Sequence, residues 1–193
     1  MRRLFYVPIL HTEREVSLIQ SGEGHGEKVR SIQEMWAGLQ KKLLDLALPW
    51  EKVRIYQDAL PVCGREEEIV RQLALKGSMN HRLLLGFMKR GARLEGTEDP
   101  GLLLKEYDLL SQAFSGSSDA SHATPYRAQS DALLAERDQF IVRRVQETLQ
   151  DGETVLLFMG VRHKIEPLLK KDYELTYVIY RLPFQTIKTV YNL

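Results

Sequence analysis

The stretch Ala135 to His163, AERDQFIVRRVQETLQDGETVLLFMGVRH, decides the fold. Leu134, Ile141, Val145 and Leu149 fall on one face at the ~100° step of a helix, which predicts an amphipathic helix over Tyr126 to Gln150. Gln150-Asp151-Gly152 closes it, since glycine accepts the left-handed conformation that ends a helix. Thr154 to Met159 (TVLLFM) is then an unbroken apolar run, as expected of a strand covered on both faces. Gly160-Val-Arg-His163 turns away from that strand. A long helix feeding a doubly covered strand is half of a crossover unit, and crossovers imply parallel pairing.

Downstream, Ile165 to Lys170 reads as a short helix and Leu175 to Tyr180 (LTYVIY) as a last strand. The tail from Arg181 to Leu193 reads as an edge strand or a packing arm. At the other end of the chain, Leu4 to Leu10 is a second continuous apolar run. Pro8 lacks a ladder donor, which places this strand at an edge or makes it irregular near its end. Ser21 to Gly26 (SGEGHG) is a linker without the lysine and hydroxyl order of a phosphate loop. Lys28 to Leu46 is helical from the spacing of Val29, Ile32, Trp36, Leu39 and Leu43, and Pro49 stops it. Val53 to Asp58 is a strand, followed by a turn that contains Cys63. Arg65 to Leu75, Asn80 to Lys89 and Leu102 to Phe114 are helices. Gly91 to Pro100 is a turn-rich acidic connection, with Asp99 as N-cap and Pro100 as first helical residue. Residues 115–125 (SGSSDASHATP) form the most polar stretch and read as a mobile loop.

The expected architecture is therefore α/β, one domain over residues 1–193, with a central mixed, mainly parallel sheet flanked by helices. A chain of 193 residues, 44% hydrophobic and 27% charged, has the composition of a globular protein with a sizeable core. A net charge of +1 gives no field directed at nucleic acid or an anionic membrane. No run is long enough to cross a bilayer. The apolar run after Arg2 and Arg3 lacks a cleavage site, and the one cysteine forms no internal disulfide. The expected location is the cytoplasm. The expected partner is a small molecule or a peptide, with no nucleic acid and no membrane, and self-association is left open.

In sheets built from crossovers, ligands gather beyond the carboxyl ends of the strands. His11, Asp58 and His163 all fall at such ends. Arg137 and Asp138 interrupt the buried stripe of the long helix, and a guanidinium there is costly unless carboxylates or carbonyls receive it. Arg137 either fixes the helix against the sheet or reaches the strand ends to orient an acidic or carbonyl group. These residues predict a pocket of His11, Asp58, Arg137 and His163.

The run Glu136-Arg137-Asp138, then helix, buried strand and Gly160-Val-Arg-His163, resembles the TraB/PrgY branch of the TIKI-like superfamily. That superfamily also includes erythromycin esterases and ChaN-type haem-binding proteins. Its hallmarks are two Gly-x-x-His motifs at strand ends, acidic residues between them, and Glu-Arg-Asn ahead of the second histidine. Gly160 and His163 match the second motif. Pro8-Ile-Leu-His11 stands in for the first, and Asp138 replaces the asparagine. Asp58, Glu95 and Glu98 are candidates for the acidic pair. The resemblance is specific over Glu136 to His163 and extends more weakly to Phe5 to Glu13. It implies an α/β fold and a site shared by both histidines, in a superfamily of metal-dependent peptidases and esterases that also holds proteins without demonstrated chemistry.

The expected function is hydrolysis, with or without a divalent metal. In the metal version His11, Glu13 and His163 are the ligands and Arg137 steadies developing negative charge. In the metal-free version a histidine is general base, oriented by Asp58. The alternative is a non-catalytic module that binds a small molecule, haem or a peptide, with Tyr6, Tyr56 and Tyr126 as polar-aromatic contacts.

Overall fold

The computed structural model describes residues 2–9, 25–115 and 123–180. Strands β1 (Arg2–Ile9), β2 (Val53–Gln57), β3 (Arg93–Glu95), β4 (Thr154–Gly160) and β5 (Tyr173–Tyr177) form one five-stranded sheet in the order β3-β2-β4-β1-β5. Every pairing among them is parallel. The helices are α1 (His25–Asp45), α2 (Glu66–Leu75), α3 (Met79–Met88), α4 (Pro100–Ser115), α5 (Ala123–Thr148) and α6 (Glu166–Leu169).

Strand alternation divides the core in two. Phe5, Val7, Ile55, Leu156 and Phe158 point to one face, where Trp36, Leu39 and Leu43 of α1, Val70 of α2 and Phe87 of α3 cover them. Leu4, Tyr6, Tyr56, Leu157 and Met159 point to the other, under Ile141, Val145 and Leu149 of α5 and Leu169 of α6. β4 is buried along its whole length, as its unbroken apolar run requires.

The path explains the two faces. The steps β1 to β2 and β2 to β3 go one way across the sheet, with α1, α2 and α3 on one face. The steps β3 to β4 and β4 to β5 go the other way, with α5 and α6 on the opposite face. Crossovers of a single hand reverse face when they reverse direction. The chain leaving β2 therefore heads toward β3 while the chain leaving β4 heads toward β5. Their loops part between these two neighbours, at the switch point where such sheets bind ligands.

Several expectations are refined. The described strands are all parallel rather than mixed. β1 lies inside the sheet despite Pro8: Tyr6 O accepts from Val178 N on the β5 side, and the β1–β5 pairing ends at Tyr6. Pro8, two residues on, points its missing N–H past the last β5 pair, while its β4 side stays in register with Met159. The turn-rich segment after Gly91 contains β3, whose three residues are too short to carry an apolar pattern. The last strand is Tyr173–Tyr177 rather than 175–180. Of the polar stretch 115–125, Ser115 ends α4 and residues 123–125 begin α5, while 116–122 lie outside the described residues, as does the tail 181–193. Asp99 caps α4 as expected, accepting from Leu102 N at 2.9 Å. Among the described residues no helix is long and apolar enough to cross a membrane.

Leu157 has no exposed surface and sits between Tyr6 and Tyr56 in the sheet, beneath α5. Leu157→Ala is expected to cost about 3–4 kcal/mol of unfolding free energy, measured by urea denaturation. A loss under about 1 kcal/mol would show that α5 does not close this face.

Candidate functional site

The carboxyl ends of β2 and β4 carry a buried cluster of charged side chains. β2 gives way to Asp58, whose N–H donates to Phe158 O at 2.9 Å and so extends the ladder by one step. Ala59 then takes a left-handed φ of 61° and sends its N–H to Glu98 Oε1 at 3.1 Å. Residues 60–62 and 97–98 are stapled by Thr97 N to Leu60 O, Glu98 N to Leu60 O, and Val62 N to Glu98 O. Gly96 permits this approach, since a Cβ there would lie 2.8 Å from Val62 Cα. Short hydrogen bonds between two loops thus bring Glu98 to within reach of Asp58.

Arg137 arrives from α5 and is 4% exposed. Its Nε donates to Glu98 Oε2 at 2.7 Å, and its Nη2 donates to Glu98 Oε1 at 2.5 Å and Asp58 Oδ1 at 3.0 Å. Its Nη1 meets Glu106 Oε2 of α4 at 2.9 Å. One turn beyond β4, His163 N donates to Gly160 O. The imidazole is held at both nitrogens, with Nδ1 2.6 Å from Asp138 Oδ1 and Nε2 3.2 Å from Asp58 Oδ1. Asp138 Oδ2 also accepts from Lys164 N at 2.9 Å, and Asp58 Oδ2 from Gly160 N at 2.8 Å. Asp58 is the hub: it touches the guanidinium, the imidazole and the turn after β4.

Four carboxylates (Asp58, Glu98, Glu106, Asp138) surround one guanidinium and one imidazole. The ionisation follows from that imbalance. Burial opposes charge on His163, but its hydrogen bonds to Asp138 and Asp58 outweigh the penalty and raise it to about 9. Burial pushes the Glu98 carboxyl up, neighbouring Asp58 pushes it further, and the Arg137 hydrogen bonds pull back without cancelling the rise. Both groups hold their protons more firmly than usual, Glu98 chiefly through burial and His163 through its two carboxylate partners.

Three of the expected pocket residues, Asp58, Arg137 and His163, come together. His11 and Glu13 lie outside the described residues; β1 ends at Ile9, which pairs with Gly160 beside the His163 turn. Of the candidate acids, Glu98 joins the cluster, whereas Glu95 pairs with Arg54 and lies 3.7 Å from Arg144. Arg137 is received by carboxylates on all three nitrogens, so in this state it offsets part of their charge and presents no open edge. Glu106 was not anticipated. Its signal is the one Arg137 gives: a charge set within an apolar stripe, here Leu102, Leu109 and Leu110. Tyr6 is buried against Tyr177 at 5.2 Å, Tyr56 bonds Thr148 Oγ1 at 2.7 Å, and Tyr126 is half-buried. Cys63 is exposed in the turn after β2.

Asp58, Glu98 and His163 offer ligand atoms that all lie within 4.8 Å of one another, close enough to share one cation. Comparison of the chain with protein-family models, with curated proteins and with solved structures gives no match.

A histidine raised from 6.5 to about 9 binds its proton more tightly folded than unfolded. Its contribution is complete below pH 6.5 and lost as the pH rises through about 9; Glu98, also raised, acts in the same sense. Wild-type stability is expected to fall by about 3 kcal/mol between pH ~6 and ~10. Urea denaturation at both pH values checks this, and His163→Gln is expected to flatten the dependence. An equal slope in the variant would assign it elsewhere.

Proposed function

We propose that this protein is a hydrolase of ester or amide bonds whose reaction centre is the Asp58–Glu98–His163 cluster, with a divalent cation as its cofactor. The observation that carries the proposal is the surplus of buried carboxylate at the switch point of the sheet. A dication would supply the positive charge that the cluster otherwise draws from protons. The donor set of two carboxylates and one imidazole suits such an ion. The imidazole is also arranged as metal-bound histidines are, with Asp138 on Nδ1 fixing the ring and Nε2 turned into the cluster.

Asp58, Glu98 and His163 would hold the ion, and His11 and Glu13 are the further candidate ligands from the chain beyond β1. Bound there, a divalent cation would polarise a carbonyl and lower the pKa of water. The protein's own groups do the rest. Arg137 holds Asp58 and Glu98 in place through its Nε and Nη2 hydrogen bonds. Asp138 holds the His163 tautomer with its proton on Nδ1. The backbone N–H of Gly160 orients Asp58.

One observation favours the metal-free, non-catalytic reading. With both ring nitrogens on carboxylates, His163 is an imidazolium near neutrality, and a doubly protonated ring is neither ligand nor base. The two readings part on whether a cation displaces that proton.

Chelator-treated protein is expected to take up about one equivalent of manganese, cobalt, zinc or iron, and to lose that uptake in His163→Ala. Saturating metal is expected to stabilise the fold by about 3 kcal/mol at a hundredfold excess over Kd. Isothermal titration and thermal melts test both. Metal-dependent release of nitrophenol from a panel of nitrophenyl esters would then support hydrolysis. Wild-type protein that takes up none of the four metals would remove the metal-assisted reading.

A further inference from the structure

The carboxylates around Arg137 differ in how firmly they are held. Glu98 and Asp58 are buried, and each is also fixed by a backbone N–H, from Ala59 and Gly160 respectively. Removing either would strand a buried guanidinium. Glu106 stands apart. Its side chain is 29% exposed, and its contact to Arg137 Nη1 is an ion pair at 2.9 Å. It belongs to α4, whose described side chains from Pro100 to Gln112 include none that is buried. The Nη1 side of the guanidinium thus faces one partly exposed carboxylate, while its other donors are held by buried ones.

We propose that the Nη1 side of Arg137 is a recognition point for a carboxylate of the substrate, and that Glu106 is a stand-in the substrate displaces. The inference rests on the cluster being the reaction centre, and it does not depend on a metal being there. Nη1, the one guanidinium nitrogen not bonded to Glu98 or Asp58, can donate a charge-assisted hydrogen bond to a carboxylate oxygen. Exchange of one carboxylate for another leaves the charge of the cluster unchanged. A phosphate dianion would add charge where carboxylates already outnumber cations. The substrate class is therefore an ester or amide that also bears a free carboxylate, such as an acylated amino acid or the C-terminal residue of a peptide.

Glu106→Ala removes the partner of Nη1 without touching the buried carboxylates, so a small carboxylate is expected to take its place. In chelator-treated protein, Glu106→Ala is expected to melt about 3 °C below wild type. Sodium acetate at ~0.1 M is expected to restore most of that loss, against sodium chloride of equal ionic strength. Wild type, and Glu136→Ala as an exposed control on α5, are expected to show no acetate-specific shift. If Glu106→Ala does not fold, Glu106→Gln, which keeps the volume and removes the charge, is titrated in its place. No acetate-specific shift in the Glu106 variant, or an equal shift in all proteins, overturns the proposal. A response to phosphate with none to acetate overturns the carboxylate assignment. Because the melts are run without metal, a failed metal titration and a failed acetate response are separate results.

Discussion

The site depends on the burial of one guanidinium. Arg137 lies on α5 where an apolar residue would continue the stripe, and it is 4% exposed. A charge so placed needs partners that recover most of its lost hydration. It finds them on the end of β2 (Asp58), on the segment after β3 (Glu98) and on α4 (Glu106). One side chain thereby ties a long helix to two strand ends and to a second helix. The register of α5 over the sheet is set apolar below, by Ile141, Val145 and Leu149, and ionic above, by Arg137.

The same grouping leaves a shortage of positive charge. Three carboxylates that are almost wholly buried, Asp58, Glu98 and Asp138, face one permanent cation. Nature of ionisation and choice of ligand are then one question, because protons, a divalent cation and the placement of Glu106 all act on the same balance. Burial leads the rise of Glu98 and carboxylate hydrogen bonds lead that of His163, and the two share one contribution, from Asp58. Its Oδ1 lies between the guanidinium and the imidazole.

Backbone geometry at the rim serves this arrangement. Ala59 adopts a left-handed φ of 61°, at a cost of about 1 kcal/mol for a residue with a Cβ. Its N–H is thereby turned to Glu98 Oε1. Gly96 lets the loop after β2 close on the segment after β3. Local strain is retained where two loops must meet to bring Glu98 beside Asp58.

By itself the sequence determined the α/β class, the crossover helix α5, the doubly covered strand β4, and Asp58, Arg137 and His163 as residues to watch. Each follows from a short-range signal: a 3.6-residue period, an unbroken apolar run, a charge interrupting a stripe, or a polar side chain at the end of such a run. The short strand β3 left no such signal, because three residues paired on β2 need no pattern of their own. Of the two readings Pro8 allowed, an edge strand or one irregular near its end, β1 takes the second: it lies inside the sheet, and its pairing with β5 ends at Tyr6, before the missing donor. Which acid receives Arg137 was settled by tertiary structure alone. Glu95 and Glu98 are separated by three positions, yet one faces Arg54 on the side of the sheet and the other folds over the strand end to Asp58. Glu106 joins them because α4 docks on α5 at the height of Arg137. Partners drawn from three separate segments are fixed by the order of strands and the docking of helices, and a linear pattern carries no record of either.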